Sequence, residues 1–342
     1  MRLGLPHRSE RVRPSRPSRP HDASTSSDVA PSSAADRRGS RGEGASPRNP
    51  RGTRRLRVYA DRTRNRGGPV PRTIVITGAS DGIGAASARQ LTDAGEQVVV
   101  VGRNPEKTAK VARQLGVPSH VADYSDLSQV RDLAAVLLET YPRIDVLANN
   151  AGGVFGDRAV TKDGYELTFQ VNHLGGFLLT NLLLERLIES RASIVQTSSF
   201  AARGFSRFDI DDLQGENRFS ATTAYGNGKL ANVLFTKEIN RRFGDDGLNA
   251  VAFHPGAIAS GFAAASTGPW RFMYTNPLAA RLLTSTEVGG ARLTWLALGK
   301  PGVDWEPGQF YSNNRPSKTS RVADDPLIAQ RLWDESAEMV GL

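Results

Sequence analysis

From Thr73 onward, short runs of β-branched and other apolar residues alternate with longer stretches of helical period. Residues 73–77 predict a first strand, and residues 82–94 a helix that stops near Gly95. Residues 97–101 predict a second strand, and its four consecutive valines suit a strand covered on both faces, as in a parallel sheet. Further helices are predicted at 105–115, 127–141, 164–189, 222–243, 286–297 and 326–339. Between them lie a short strand ending at Ala122 and strands at 144–148, 193–197, 248–253 and 309–311. Repeated strand–helix alternation predicts a single α/β domain over residues 72–342, a doubly wound parallel sheet of about seven strands. Two segments break the rhythm, residues 203–221 and 255–285. Long loops after strand ends in such folds shape ligand sites, so both are expected to recognise substrate. Phe155, Phe205, Phe208, Phe262, Trp270 and Phe272 fall in loops and are candidates to wall an apolar pocket.

Composition separates the first 71 residues from the rest. They hold 17 Arg and no Lys against 6 acidic residues, a net charge of +11, while the whole chain carries +9. Residues 72–342 are therefore near −2, and the basic character belongs to the leading segment. That segment is rich in Pro, Ser and Gly and poor in large apolar residues, so a disordered tail is expected. A non-functional extension from a start assigned too far upstream is the favoured reading. A tether for nucleic acid or anionic membrane and a targeting peptide are the alternatives. No nucleic-acid partner is expected for the folded part. The chain has no cysteine, which excludes disulfides, thiolate zinc sites and cysteine nucleophiles. It has no run of 18 apolar residues, so no transmembrane segment is expected, and the predicted location is cytoplasmic.

The candidate chemistry sits at strand ends. Gly78, Gly82 and Gly84 directly follow a predicted strand and open a predicted helix, the context a dinucleotide-binding turn needs. Their spacing is Gly-x-x-x-Gly-x-Gly. The second strand ends at Val101-Gly102-Arg103, with a guanidinium where a carboxylate would bind a ribose diol. Arginine suits a 2′-phosphate, which favours NADP over NAD. Tyr225 and Lys229 stand four apart, on one face of a predicted helix. A free tyrosine has a pKa of about 10. A neighbouring ammonium favours the phenolate and brings the group toward acid/base work near neutrality. His173 and His254 are each flanked by a stronger motif residue and are read as structural. Asp209, Asp211 and Asp212 lack partners at ligand spacing and are read as a solvated or capping loop.

Five motifs then appear in order: Thr77-Gly78-Ala79-Ser80-Asp81-Gly82-Ile83-Gly84, Asn149-Asn150-Ala151-Gly152, Ser198-Ser199, Tyr225-x-x-x-Lys229 and Pro255-Gly256. On these the chain resembles the short-chain dehydrogenase/reductase family, with its Rossmann-type fold, over residues 72–342. Asp212-Leu213-Gln214-Gly215 and Lys229-Leu230-Ala231-Asn232-Val233-Leu234-Phe235 look like its retinol-dehydrogenase-like branch, which includes the WW-domain oxidoreductases. Two features depart from that branch. A basic polar tail stands where the animal enzymes carry an apolar anchor, and Gly228 replaces the usual serine before the lysine.

The resemblance implies that Tyr225 is the proton donor and acceptor. Lys229 lowers its pKa and binds the nicotinamide ribose. Ser199, preferred over Ser198, orients the substrate oxygen, and Asn172 holds a water in the proton relay. Asp123 is implied at the adenine, and Asn149 at the cofactor and the central strand. Gly78, Ser80, Asp81, Gly82, Ile83, Gly84, Ala151, Gly152, Pro255 and Gly256 complete the implied cofactor contacts, with no metal needed. The expected activity is NADP-dependent hydride transfer with a small-molecule ketone, aldehyde or secondary alcohol, apolar in character. A cofactor-binding scaffold with little turnover is the alternative. The family's habit of forming homodimers or homotetramers points to helices 164–189 and 222–243 as the contact.

Overall fold

The computed structural model describes residues 70–258 and 283–342. The leading tail, most of the predicted loop 255–285, and Phe262, Trp270 and Phe272 lie outside the described residues.

Eight strands form one sheet in the order β3-β2-β1-β4-β5-β6-β7-β8. They are β1 (Thr73–Ile76), β2 (Gln97–Gly102), β3 (Ser119–Val121), β4 (Val146–Asn149), β5 (Ser193–Thr197), β6 (Asn249–His254), β7 (Phe310–Ser312) and β8 (Arg315–Pro316). Strands β1 to β7 pair in parallel, and the two-residue β8 returns antiparallel on β7. Its short backbone excursion carries no periodic signal, which is why the pattern of residues predicts only seven strands. β4 opens at Val146 rather than residue 144, because the Ile144 amide donates to Ser190 Oγ at 3.2 Å.

The central strands are apolar on both faces, and helices cover each. On one side, Ile74, Ile76, Val98, Val100, Val195 and Val251 pack against α1 (Gly82–Asp93) and α7 (Thr286–Leu298). On the other, Val75, Val99, Leu147 and Ile194 meet α3 (Leu127–Thr140), α4 (Gly175–Leu182), α6 (Ala221–Phe243) and α8 (Pro326–Val340). Helices α2 (Pro105–Leu115) and α5 (Leu184–Glu189) complete the two layers. Strand order reverses between β1 and β4, which opens a crevice at their carboxyl ends. Among the described residues, no helix is long and apolar enough to cross a membrane.

The predicted continuous helix over 164–189 is interrupted. Glu166 caps a short turn by accepting the amides of Thr168 and Phe169, both at 2.7 Å. One wide turn follows at Gln170–Leu174, where the Gly175 amide reaches back five residues to Gln170 O. Asn172 Nδ2 donates to Thr168 O at 2.9 Å, the carbonyl a regular helix would reserve for the Asn172 amide. A second break at Leu183 separates α4 from α5. Apolar periodicity persists through all of these pieces, so it cannot reveal the breaks.

Candidate active site at the carboxyl ends of β1, β4 and β5

The crevice begins with the turn after β1. Gly78 and Gly82 have φ of +63° and +58°, values that disfavour a side chain. A Cβ on Gly78 would lie 2.8 Å from Ala151 Cα, and one on Gly84 would lie 2.7 Å from Asn150 Nδ2. The turn is thus pressed against the end of β4 by residues with no side chain to spare. Asp81 caps α1, accepting the Gly82 amide at 2.7 Å, and pairs with Lys107 at 3.1 Å. The Gly82 amide first, and then Lys107, hold its carboxyl below the ordinary range. Ser80 abuts Gly102 at the end of β2, where an added Cβ would lie 2.7 Å from Ser80 Cβ.

Arg103 follows directly and is exposed. Among the described residues, no hydrogen bond or ion pair engages its guanidinium. Asp123 lies just beyond β3 with one carboxylate oxygen committed to Ser125, accepting from its amide at 2.9 Å and its hydroxyl at 2.8 Å. Ile83 lies over Gly289 of α7, where an added Cβ would meet its methyl at 2.7 Å. The Pro255-Gly256 turn closes this side, with Gly256 at φ +105° and Pro255 O accepting from Arg292 at 2.6 Å.

Two residues that the motifs contain but to which the sequence assigns no role tie the strand ends together. Thr77 Oγ1 donates to Ala148 O at 3.2 Å and accepts the amides of Asn150 and Ala151, each at 3.0 Å. Asn150 Nδ2 donates to Thr77 O at 2.9 Å and Gly78 O at 3.2 Å, while Thr197 Oγ1 donates to Asn150 Oδ1 at 3.1 Å. Asn149 is buried and donates to Thr180 at 2.8 Å, leaving its Oδ1 without a hydrogen-bond partner. The Asn-Asn doublet is the signal in the sequence, but only the fold tells which asparagine braces the glycine turn.

The reacting cluster stands beside this brace. Lys229 is fully buried on α6, and its Nζ donates to Thr197 O at 3.2 Å. The same Nζ lies 5.7 Å from the ring centroid of Tyr225, itself buried against Val154 and Ala201. Burial pushes the Lys229 ammonium down to about 7. Asn172 and Lys229 converge on Gly152. A Cβ there would lie 2.6 Å from Asn172 Oδ1 and 2.8 Å from Lys229 Nζ. Asn172 is held by both ends of its amide, donating to Gly153 O at 2.9 Å and accepting the Gly153 amide at 3.2 Å. Ser199, half-buried after β5, accepts the Ala201 amide at 3.1 Å and retains its own proton for donation. Ser198 points elsewhere, donating to Lys229 O at 2.6 Å.

The remaining candidates divide clearly. His173 is buried among Phe169, Phe177 and Phe235 and meets Ser336 Oγ at 3.0 Å, a core position. Asp209 and Asp212 accept loop amides, and Asp211 pairs with Arg331 at 2.7 Å. Phe155 and Phe208 pack partly on the core, while Phe205 is exposed.

Comparison with known proteins gives the family of the chain. The profile for short chain dehydrogenase matches residues 72–269, and the chain belongs to that family as an oxidoreductase. Its relatives include retinol dehydrogenases and a ketoreductase. A Streptomyces sp. (strain C5) protein provisionally described as daunorubicin C-13 ketoreductase is 41% identical over 282 residues, covering 80% of this chain and 94% of that one. Human retinol dehydrogenase 13 is 35% identical over 290 residues, covering 79% and 85%. The solved structure of an uncharacterised Mycobacterium paratuberculosis protein matches with TM-score 0.63 at 33% identity, covering 79% of this chain and 93% of that one.

Proposed function

We propose that the protein is an NADP-dependent carbonyl reductase or alcohol dehydrogenase that uses Tyr225 as its acid/base. The observation that carries this reading is the buried Lys229 ammonium, 5.7 Å from the Tyr225 ring and crowded against Gly152 and Asn172. Burial of a lysine without a carboxylate beside it is costly, and functional sites are where such costs are tolerated. When bound, the nicotinamide supplies or accepts hydride. In the reductive direction, Tyr225 gives its phenolic proton to the carbonyl oxygen, and Ser199 donates a hydrogen bond to the same oxygen as charge develops. Lys229 favours the phenolate left behind and hydrogen-bonds the nicotinamide ribose. Asn172, fixed by Gly153 and Thr168, holds a water in the relay that returns a proton through Lys229 to Tyr225.

The crevice suits the cofactor on several counts. The positive-φ glycines make room for a pyrophosphate at the start of α1, where unpaired amides favour anions. The uncommitted Arg103 at the end of β2 fits a 2′-phosphate, and Asp123 keeps one oxygen for the adenine. The orphaned Asn149 Oδ1 marks a buried acceptor beside the same crevice. The ketone and retinoid chemistry in the relatives' names supports apolar aldehydes and ketones as the class.

Titration of the protein with NADPH and with NADH, followed by cofactor fluorescence, tests the nucleotide assignment. Tighter binding of NADPH is expected, and equal affinities would remove Arg103 from the reading. Tyr225→Phe should leave NADPH binding intact. It should lower turnover of retinal or daunorubicin by about 100-fold or more.

A further inference from the structure

We infer that His254 is a positioning residue for Ser199, acting through the backbone amide of Phe200. The inference rests on the catalytic reading above. Ser199 precedes a single helical turn, Ala201–Gly204. The leading amides of any helical turn have no partner within it. Here they are taken by two side chains: Ser199 Oγ accepts the Ala201 amide at 3.1 Å, and His254 Nδ1 accepts the Phe200 amide at 3.2 Å. The second bond spans two strands, because His254 closes β6 while Ser199 follows β5.

A backbone amide can only donate, so Nδ1 must carry a lone pair and the ring proton sits on Nε2. The surroundings enforce that form. Arg292 lies beside the turn, donating to Pro255 O at 2.6 Å. Burial, and then the Arg292 charge, push His254 down to about 4. The imidazole is thus a fixed neutral acceptor. Ser199 can donate to a substrate oxygen only if its turn stays in register with Tyr225. His254 supplies the hydrogen bond that pins the residue between Ser199 and the helical turn.

The test compares His254→Leu, which removes the acceptor at similar size, with His254→Asn, whose Oδ1 can replace Nδ1. Hydrogen–deuterium exchange of the full-length protein reads the Phe200 amide directly and needs no substrate. Loss of that acceptor should speed exchange of the Phe200 amide by about 3- to 10-fold in His254→Leu, with His254→Asn restoring most of the protection. With NADPH and retinal or daunorubicin, kcat should fall by about 10- to 100-fold in His254→Leu, with NADPH affinity unchanged. His254→Asn should recover most of that turnover. In a Ser199→Ala background, His254→Leu should lower kcat no further, since both changes remove one function. Unchanged exchange in His254→Leu, equal turnover of the two variants, or additive losses with Ser199→Ala would overturn the inference. Silence of the unsubstituted protein on both probes would instead count against the proposed substrates, while the exchange comparison still decides whether His254 holds the turn.

Discussion

Lys229 carries a charge that the fold accommodates at a cost. Its partners are Thr197 O and the face of Tyr225, and desolvation alone accounts for its fall to about 7. The folded pKa lies below the unfolded one, so the penalty is full below pH 7 and relaxes as pH rises toward 10.5. Lys229→Met should therefore raise the thermal midpoint at pH 7 while abolishing turnover, a trade visible by comparing melting curves with activity. His173, fully buried, and His254, partly buried, act at lower pH. Burial pushes both His173 and His254 down to about 4, so the unfolded chain binds their protons first as pH falls below 6.5. Stability should decline between pH 6.5 and about 4, by on the order of 3 kcal/mol per histidine at full titration, measured as denaturant midpoints across that window. Gly78, Tyr225 and Lys229 were legible in the sequence because their spacing encodes their geometry. Thr77 and Asn150 were not, because a hydroxyl or amide gives no sign of which strand end it will bridge. The positioning contact of His254 was hidden for the same reason, since its partner is a backbone amide on a different strand.

At the scale of elements, strands and most helices were predicted within two residues, since β-branched runs and helical periods mark them well. The stretch 164–189 was the exception. Apolar residues recur at helical spacing along it, and the turns that break it are set by Glu166 and Asn172 side chains competing for backbone groups. The wide turn at Gln170–Leu174 brings Asn172 to Gly152, and Gly228 of α6 is what lets that turn approach. A Cβ on Gly228 would stand 3.2 Å from Asn172 Cβ, a tight but adjustable contact. Gly228→Val should displace Asn172 and cut kcat by about 10-fold or more, with NADPH binding less affected. Gly84→Ala probes the other close approach. Its Cβ would meet Ala79 Cα at 2.9 Å, and overpacking of this kind costs about 1–3 kcal/mol, measurable by urea unfolding.

For the whole molecule, the C-terminal helix α8 closes the core over α4 and α6. Trp333 packs edge-on against Phe177 and at a tilt against Phe235 and Phe243, with the Arg242 guanidinium 4.6 Å over its ring. The side chains that α4 and α6 share here are thus covered by the chain's own last helix. Trp333→Ala should cost about 3–5 kcal/mol in denaturant unfolding, far more than a surface change. The same helix anchors loop 203–221, since Gln214 reaches Met339 and Arg331 pairs with Asp211, and it also receives Tyr165 at Met339 O. That closure was not legible in the sequence, because helical period reveals an apolar face without naming what it covers. Strand order carries a consequence of a different kind. β1 lies between β2 and β4, so its second edge stays unpaired until Val146 leaves the ribosome. At ordinary synthesis rates that wait lasts roughly 4 to 14 s. Until it ends, the nascent chain has no crevice for nucleotide to stabilise, and an apolar central strand is open to any chaperone or neighbouring chain that can pair with it.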